Sequence, residues 1–109
     1  MTLQETPVHL GDLQLYPEHG QAFQGERNLY LTKIEFQYLH YLTQHQGRVV
    51  GHIELAEAIR QTALERWEAQ EDARYYIHCI RKKIEPNPGQ PCYIHTIRGY
   101  GYKAQWAQV

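Results

Sequence analysis

The chain has 109 residues and a hydrophobic content of 42%, which supports one domain with one modest core. Its formal charge is −1, but the signs are unevenly placed: residues 1–71 hold five Lys or Arg against ten carboxylates, and residues 72–109 hold six against two. No apolar run is long enough to cross a membrane, and the start Met1-Thr2-Leu3-Gln4-Glu5 lacks a basic-then-apolar signal pattern, so cytoplasmic residence is the expectation.

Val8 to Leu31 holds four short apolar pieces: Val8-His9-Leu10, Leu13-Gln14-Leu15-Tyr16, Ala22-Phe23 and Leu29-Tyr30-Leu31. Turn residues separate them at Gly11-Asp12, Pro17-Glu18-His19-Gly20 and Gln24-Gly25-Glu26, which predicts a small antiparallel sheet of about four strands. Thr32-Lys33-Ile34-Glu35 is a capping box and opens a helix that runs to about Gln46, with Gly47 as its C-cap. Ile34, Phe36, Tyr38, Leu39, Tyr41 and Leu42 spread round most of that helix, an arc wide enough for burial on two sides. Val49-Val50-Gly51 leads into a second helix, His52 to about Arg60, which turns Leu55, Ala56, Ile59 and Ala63 inward. Thr62 to Glu71 is polar except for Ala63, Leu64, Trp67 and Ala69, and reads as a partly helical loop, although with neither Gly nor Pro from the second helix to Ile84 the pattern also admits one long helix.

The third helix, Asp72 to Ile84, places Ala73, Ile77, Ile80 and Ile84 on one narrow stripe with Tyr76 at its edge. Tyr75, His78 and Lys82 lie opposite, with Cys79 to one side and Arg74 and Arg81 towards the other. Asp72 is the expected N-cap, and the basic end suits the negative pole of the helix dipole. Pro86 and Asn87-Pro88-Gly89 stop the helix. Tyr93 to Lys103 then reads as two strands joined by a glycine-containing turn, with Arg98 at the tip. A basic helix followed by a basic hairpin points to nucleic acid, because a polarised domain can turn one face to phosphates and keep its acidic side away.

Other chemistry finds little support. Cys79 and Cys92 have no metal or redox spacing, and His40 and His45 are five apart, the wrong interval for one helix face. Gly99-Tyr100-Gly101 is only GxG and lies between strands, where it cannot cradle a pyrophosphate. No GxSxG, HExxH or P-loop occurs, so neither an enzyme nor a cofactor is expected.

Leu31-Thr32-Lys33-Ile34-Glu35-Phe36, Gly47-Arg48-Val49-Val50, Ile80-Arg81-Lys82-Lys83-Ile84-Glu85 and Thr96-Ile97-Arg98-Gly99-Tyr100-Gly101-Tyr102 together resemble the OmpR/PhoB-type winged-helix effector domain of two-component response regulators. The resemblance covers about residues 8–104. It implies an α+β winged helix-turn-helix in a single domain spanning 1–109: an N-terminal four-stranded antiparallel sheet, three helices and a C-terminal β-hairpin wing. By the same resemblance, a recognition helix at about 72–84 enters the major groove of duplex DNA and a wing at about 93–106 reaches the minor groove.

Arg74, Arg81 and Lys82 are then expected to hold phosphates, with Lys103 as a further candidate. Tyr75, His78, Cys79 and Lys82 are expected to face the bases, with Lys82 able to donate to guanine, and Thr96, Arg98 and Gly99 belong to the wing. Residues 61–71 match a loop that contacts RNA polymerase in some members. A dimer on repeated half-sites and an upstream receiver or sensor domain fit the same family, although this chain carries no receiver domain. His78 and Cys79 stand where the family often has a small polar residue and an arginine, and Arg74, Tyr75 and Tyr76 where Asp, a β-branched residue and His are common. Gly51 replaces the usual serine N-cap of the second helix. Core and phosphate-facing positions are kept and base-facing ones altered, so the DNA sequence read is not legible. The alternative is a winged helix that contacts protein without binding DNA, suggested by the overall acidity and the His/Cys/Tyr helix face.

Overall fold

The computed structural model describes residues 6–106, so the Met1–Glu5 stretch used above to exclude a signal pattern lies outside the described residues, as do positions 107–109. Strands β1 (Val8–Leu10), β2 (Leu13–Tyr16), β3 (Gln21–Gln24) and β4 (Arg27–Asn28) form an antiparallel sheet in sequence order. Leu13 and Leu15 turn inward and are fully buried, while Gln14 and Tyr16 point to the other face, as period-two alternation requires. The fourth strand falls earlier than expected. Leu29 still donates its N–H to Ala22 O (2.9 Å), but at Tyr30 the chain turns out of the sheet with φ +52°. The Asn28 side chain, which accepts from Tyr30 N–H at 2.8 Å, supports this bend.

Helix α1 (Lys33–Gln44) starts at the expected capping box: Glu35 N–H donates to Thr32 Oγ1 (3.2 Å) and Thr32 N–H to the Glu35 carboxylate (2.9 Å). It ends earlier than the sequence suggested. His45 is the C-cap, and Gly47, expected in that role, instead donates its N–H to Ala104 O (2.9 Å). Phe36, Tyr38, Leu39, Leu42 and Thr43 are buried, because α1 contacts β1, both other helices and the C-terminal hairpin. Helix α2 (His52–Arg60) buries Leu55 and Ala56 and stops at Gln61, which adopts the left-handed conformation. Ala63, expected to face inward, lies beyond that stop and is exposed.

The largest correction concerns the third helix. Helix α3 spans Arg66–Ile84, 19 residues, so the loop read as Thr62–Glu71 shrinks to Gln61–Glu65. Glu68 accepts the N–H of Glu65 at 3.0 Å and Ala69 N–H donates to Glu65 O at 2.9 Å, which nucleates the helix upstream of Asp72. Asp72 is therefore an interior residue and not the N-cap. The stripe Ala73, Ile77, Ile80 and Ile84 is buried as expected, and Ala69 extends it one turn backwards.

Two further strands, β6 (Ile94–Ile97) and β7 (Gly101–Ala104), make the wing. A strand not foreseen, β5 (Val50–Gly51), pairs antiparallel with β7 and gives a three-stranded sheet of order β5-β7-β6. At two residues it is too short to carry a periodic signal. Its pairing explains Gly101, where a Cβ would lie 2.0 Å from Val50 O. Gly99 supplies the positive φ (+83°) of the hairpin turn. The two sheets are tied together near the chain ends: the Tyr93 hydroxyl donates to the Asp12 carboxylate, Gln24 Nε2 donates to the Tyr93 hydroxyl (2.9 Å), and Trp106 packs on the Tyr93 ring (centroids 4.7 Å apart). Among the described residues no helix is long and apolar enough to cross a membrane, and no group of ligating side chains is placed to hold a metal.

Candidate nucleic-acid interface

Because Ala69 to Ile84 bury one stripe of α3, the other side of the helix is presented outward by geometry alone. Tyr75 is 61% exposed, Arg74, His78 and Lys82 are exposed, and Cys79 is half-buried on the flank. The neighbouring Cys79 thiol is the chief cause of the raised pKa of Tyr75. The wing tip adds Arg98, Gly99 and Tyr100, all exposed. Lys82 and Arg98 have no hydrogen-bond or ion-pair partner among the described residues, so both cations remain available to an anionic ligand.

Arg81 does not. Its guanidinium donates to Ile94 O (2.9 Å from Nη2, 3.3 Å from Nε) and to Thr96 Oγ1 (2.8 Å), and it lies over the Tyr102 ring at 5.8 Å. Burial pushes its pKa down. The expectation of a phosphate-holding Arg81 is revised: position 81 sits on the helix flank that faces β6, so its donors reach the wing first. Thr96, expected as a wing contact, is the acceptor that completes this clamp while remaining exposed. Arg81 thus ties helix and wing in one register.

Glu85 reinforces that register from below. Buried at the end of α3, its carboxylate accepts the backbone N–H groups of Cys92 (2.6 Å), Tyr93 (3.0 Å) and Ile94 (3.0 Å), which fixes the start of β6. Lys83 faces the other way: its Nζ meets Glu35 at 2.6 Å and Tyr30 O at 2.9 Å and pins α3 to α1. Asp72 holds α3 to the other two helices. It accepts two bonds from Arg60 (2.8 and 3.2 Å) and one from the Tyr38 hydroxyl, while Arg60 also donates to the Tyr76 hydroxyl (3.2 Å). Desolvation, followed by this bond to Asp72, raises the Tyr38 pKa.

Sequence reasoning missed His52, Arg66 and Gln70. Together with Gly51, Gly99 and Tyr100 they line a cleft of about 200 Å³ between the start of α2, the first turns of α3 and the wing tip. Desolvation, followed by the nearby Arg74 and Arg66, lowers the His52 pKa. The signal was available: Arg66, Gln70 and Arg74 recur at helical spacing, but the first two fell in the segment read as loop.

Two kinds of comparison bear on this face. The family described as "Transcriptional regulatory protein, C terminal" matches residues 25–104. The alkaline phosphatase synthesis transcriptional regulatory protein PhoP of Bacillus subtilis is 38% identical over 104 residues, covering 93% of this chain and 41% of that protein. The DNA-binding dual master transcriptional regulator RpaA of Synechocystis is 35% identical over 95 residues, covering 87% and 39%. The chain therefore spans about two fifths of the length of these curated relatives. Among solved structures, the DNA-binding domain of Klebsiella pneumoniae RstA in complex with the RstA box superposes with a TM-score of 0.81 at 26% identity, covering 92% of this chain and 97% of that one. The DNA-binding domain of Escherichia coli CpxR gives 0.78 at 29% identity, covering 94% and 99%. The winged-helix arrangement is common to both.

Proposed function

This chain belongs to the family of C-terminal domains of transcriptional regulatory proteins, and from that membership we propose that it binds double-stranded DNA sequence-specifically to regulate transcription. The observation that carries the proposal is the joint presentation of an exposed helix face and a wing tip, clamped together by Arg81, with Lys82 and Arg98 unpartnered. Helix α3 lies in the major groove, which is wide enough to admit it. There Tyr75 and His78 meet base edges, with Cys79 at their flank, and Lys82 donates to guanine or to a phosphate. Arg98, beside Gly99 at the wing tip, enters the minor groove, where negative potential favours a guanidinium. Lys103 supplies a further phosphate contact, and Arg74 contributes in part, since it shares its charge with Glu71.

About three neutralised phosphates give a log–log salt slope of roughly −3 for one protomer. Titration of binding to mixed-sequence duplex between low and moderate salt measures it, and a slope near zero contradicts the proposal. That result is also what the alternative, a protein-contact module, requires.

The remaining readings rest on the same membership. The short loop Gln61–Glu65, with Trp67 just beyond it 66% exposed, offers a protein-contact surface suited to RNA polymerase. A linked receiver domain within a phosphorelay supplies the input, two protomers occupy repeated half-sites, and the protein acts in the cytoplasm as a regulator and not as an enzyme.

A further inference from the structure

We propose that Glu71 is a specificity-determining residue that accepts a hydrogen bond from a cytosine amino group in the major groove, a role that rests on the docking proposed above. Because α3 begins at Arg66, Glu71 belongs to the recognition helix and not to a connecting loop. At about 100° per residue it falls within about 40° of Tyr75, His78 and Lys82 around the helix axis. Its side chain is 63% exposed, and its carboxylate meets Arg74 Nη1 at 3.0 Å.

A carboxylate on a phosphate-facing surface opposes binding unless a cation or a base donor offsets it. Arg74 provides the first. The pair is largely exposed on both sides, so it is weak and exchanges partners at small cost. The second follows from chemistry: an ionised carboxylate only accepts, and the major-groove amino donors are cytosine N4 and adenine N6. Adenine presents its N7 acceptor beside that amino group, which repels a carboxylate, whereas cytosine presents no acceptor on this edge. Glu71 therefore favours cytosine and penalises contacts in which no donor is met.

Selection from a random duplex library, paired with salt titration on random duplex, tests this with the wild-type chain, Glu71→Gln and Glu71→Ala. The position is exposed, so a thermal melt of each variant should match the wild type. The wild type is expected to select a cytosine at one position that both variants lose, with discrimination there falling by about fivefold or more; Gln, which pairs with adenine, shifts that position towards adenine. Release of Arg74 to a phosphate should steepen the salt slope of both variants by about 0.9. If the wild type binds DNA with steep salt dependence while the variants keep its preferred sequence and slope, Glu71 reads nothing and the inference falls alone. If the wild type shows no salt-dependent DNA binding, the docking and the inference fall together.

Discussion

On the inward flanks of α3, Arg81 and Lys83 have their donors engaged, Arg81 by Ile94 O and Thr96 and Lys83 by Glu35 and Tyr30 O. On the outward face one residue away, Lys82 has no partner among the described residues, nor has Arg98 at the wing tip. Three consecutive basic residues thus divide between holding the fold and pointing outward without a partner among the described residues, and the division follows from about 100° of rotation per residue. A run of basic residues at the end of a recognition helix is not one patch. Each member has to be assigned by what its own face meets.

The steepest way to break the contrast is from below. Ile80 is fully buried in the core stripe that holds α3 in place, so Ile80→Ala should destabilise the fold by about 2–5 kcal/mol, read as a shift in denaturant midpoint. Next comes the Asp72 junction. Asp72→Ala leaves the buried Tyr38 hydroxyl and the Arg60 guanidinium without their shared acceptor, with an expected loss of about 1–3 kcal/mol in the same measurement. An unchanged midpoint would show that the junction is dispensable. Smallest in energy are the outward side chains: Tyr75→Ala and His78→Ala should leave stability within about 0.5 kcal/mol, as surface substitutions do. Their effect should appear as altered base preference in a library selection, and unchanged preferences would move recognition to the wing or to DNA shape.

Most of the architecture was legible because long-period signals carried it. The α1 capping box, the Ala73–Ile84 stripe and the Tyr93–Lys103 hairpin all span enough residues for periodicity to declare itself. The start of α3 was obscured because Glu65 and Glu68 look like loop until the Glu68 carboxylate is seen to accept the Glu65 N–H, and Ala69 alone was too small to extend the stripe. Strand β5 was hidden because its partner, β7, lies some fifty residues away in sequence. The exposed face of α3 was legible, but the partners of its flanking side chains were not. Helical spacing places Arg81 on one flank of the helix, yet only the structure brings Ile94 O and Thr96 within its reach, and no one-dimensional pattern records that convergence.

Arg81 sets the geometry of the wing while Arg98 is proposed to place its charge in the minor groove, and salt titrations of Arg81→Ala and Arg98→Ala on the same duplex test this most directly. Loss of one cation from the duplex surface should make the Arg98→Ala slope shallower by up to about 0.9. Arg81→Ala should lower affinity and leave the slope at its wild-type value, because no phosphate contact is removed. A shallower slope for Arg81→Ala together with an unchanged slope for Arg98→Ala would contradict the account.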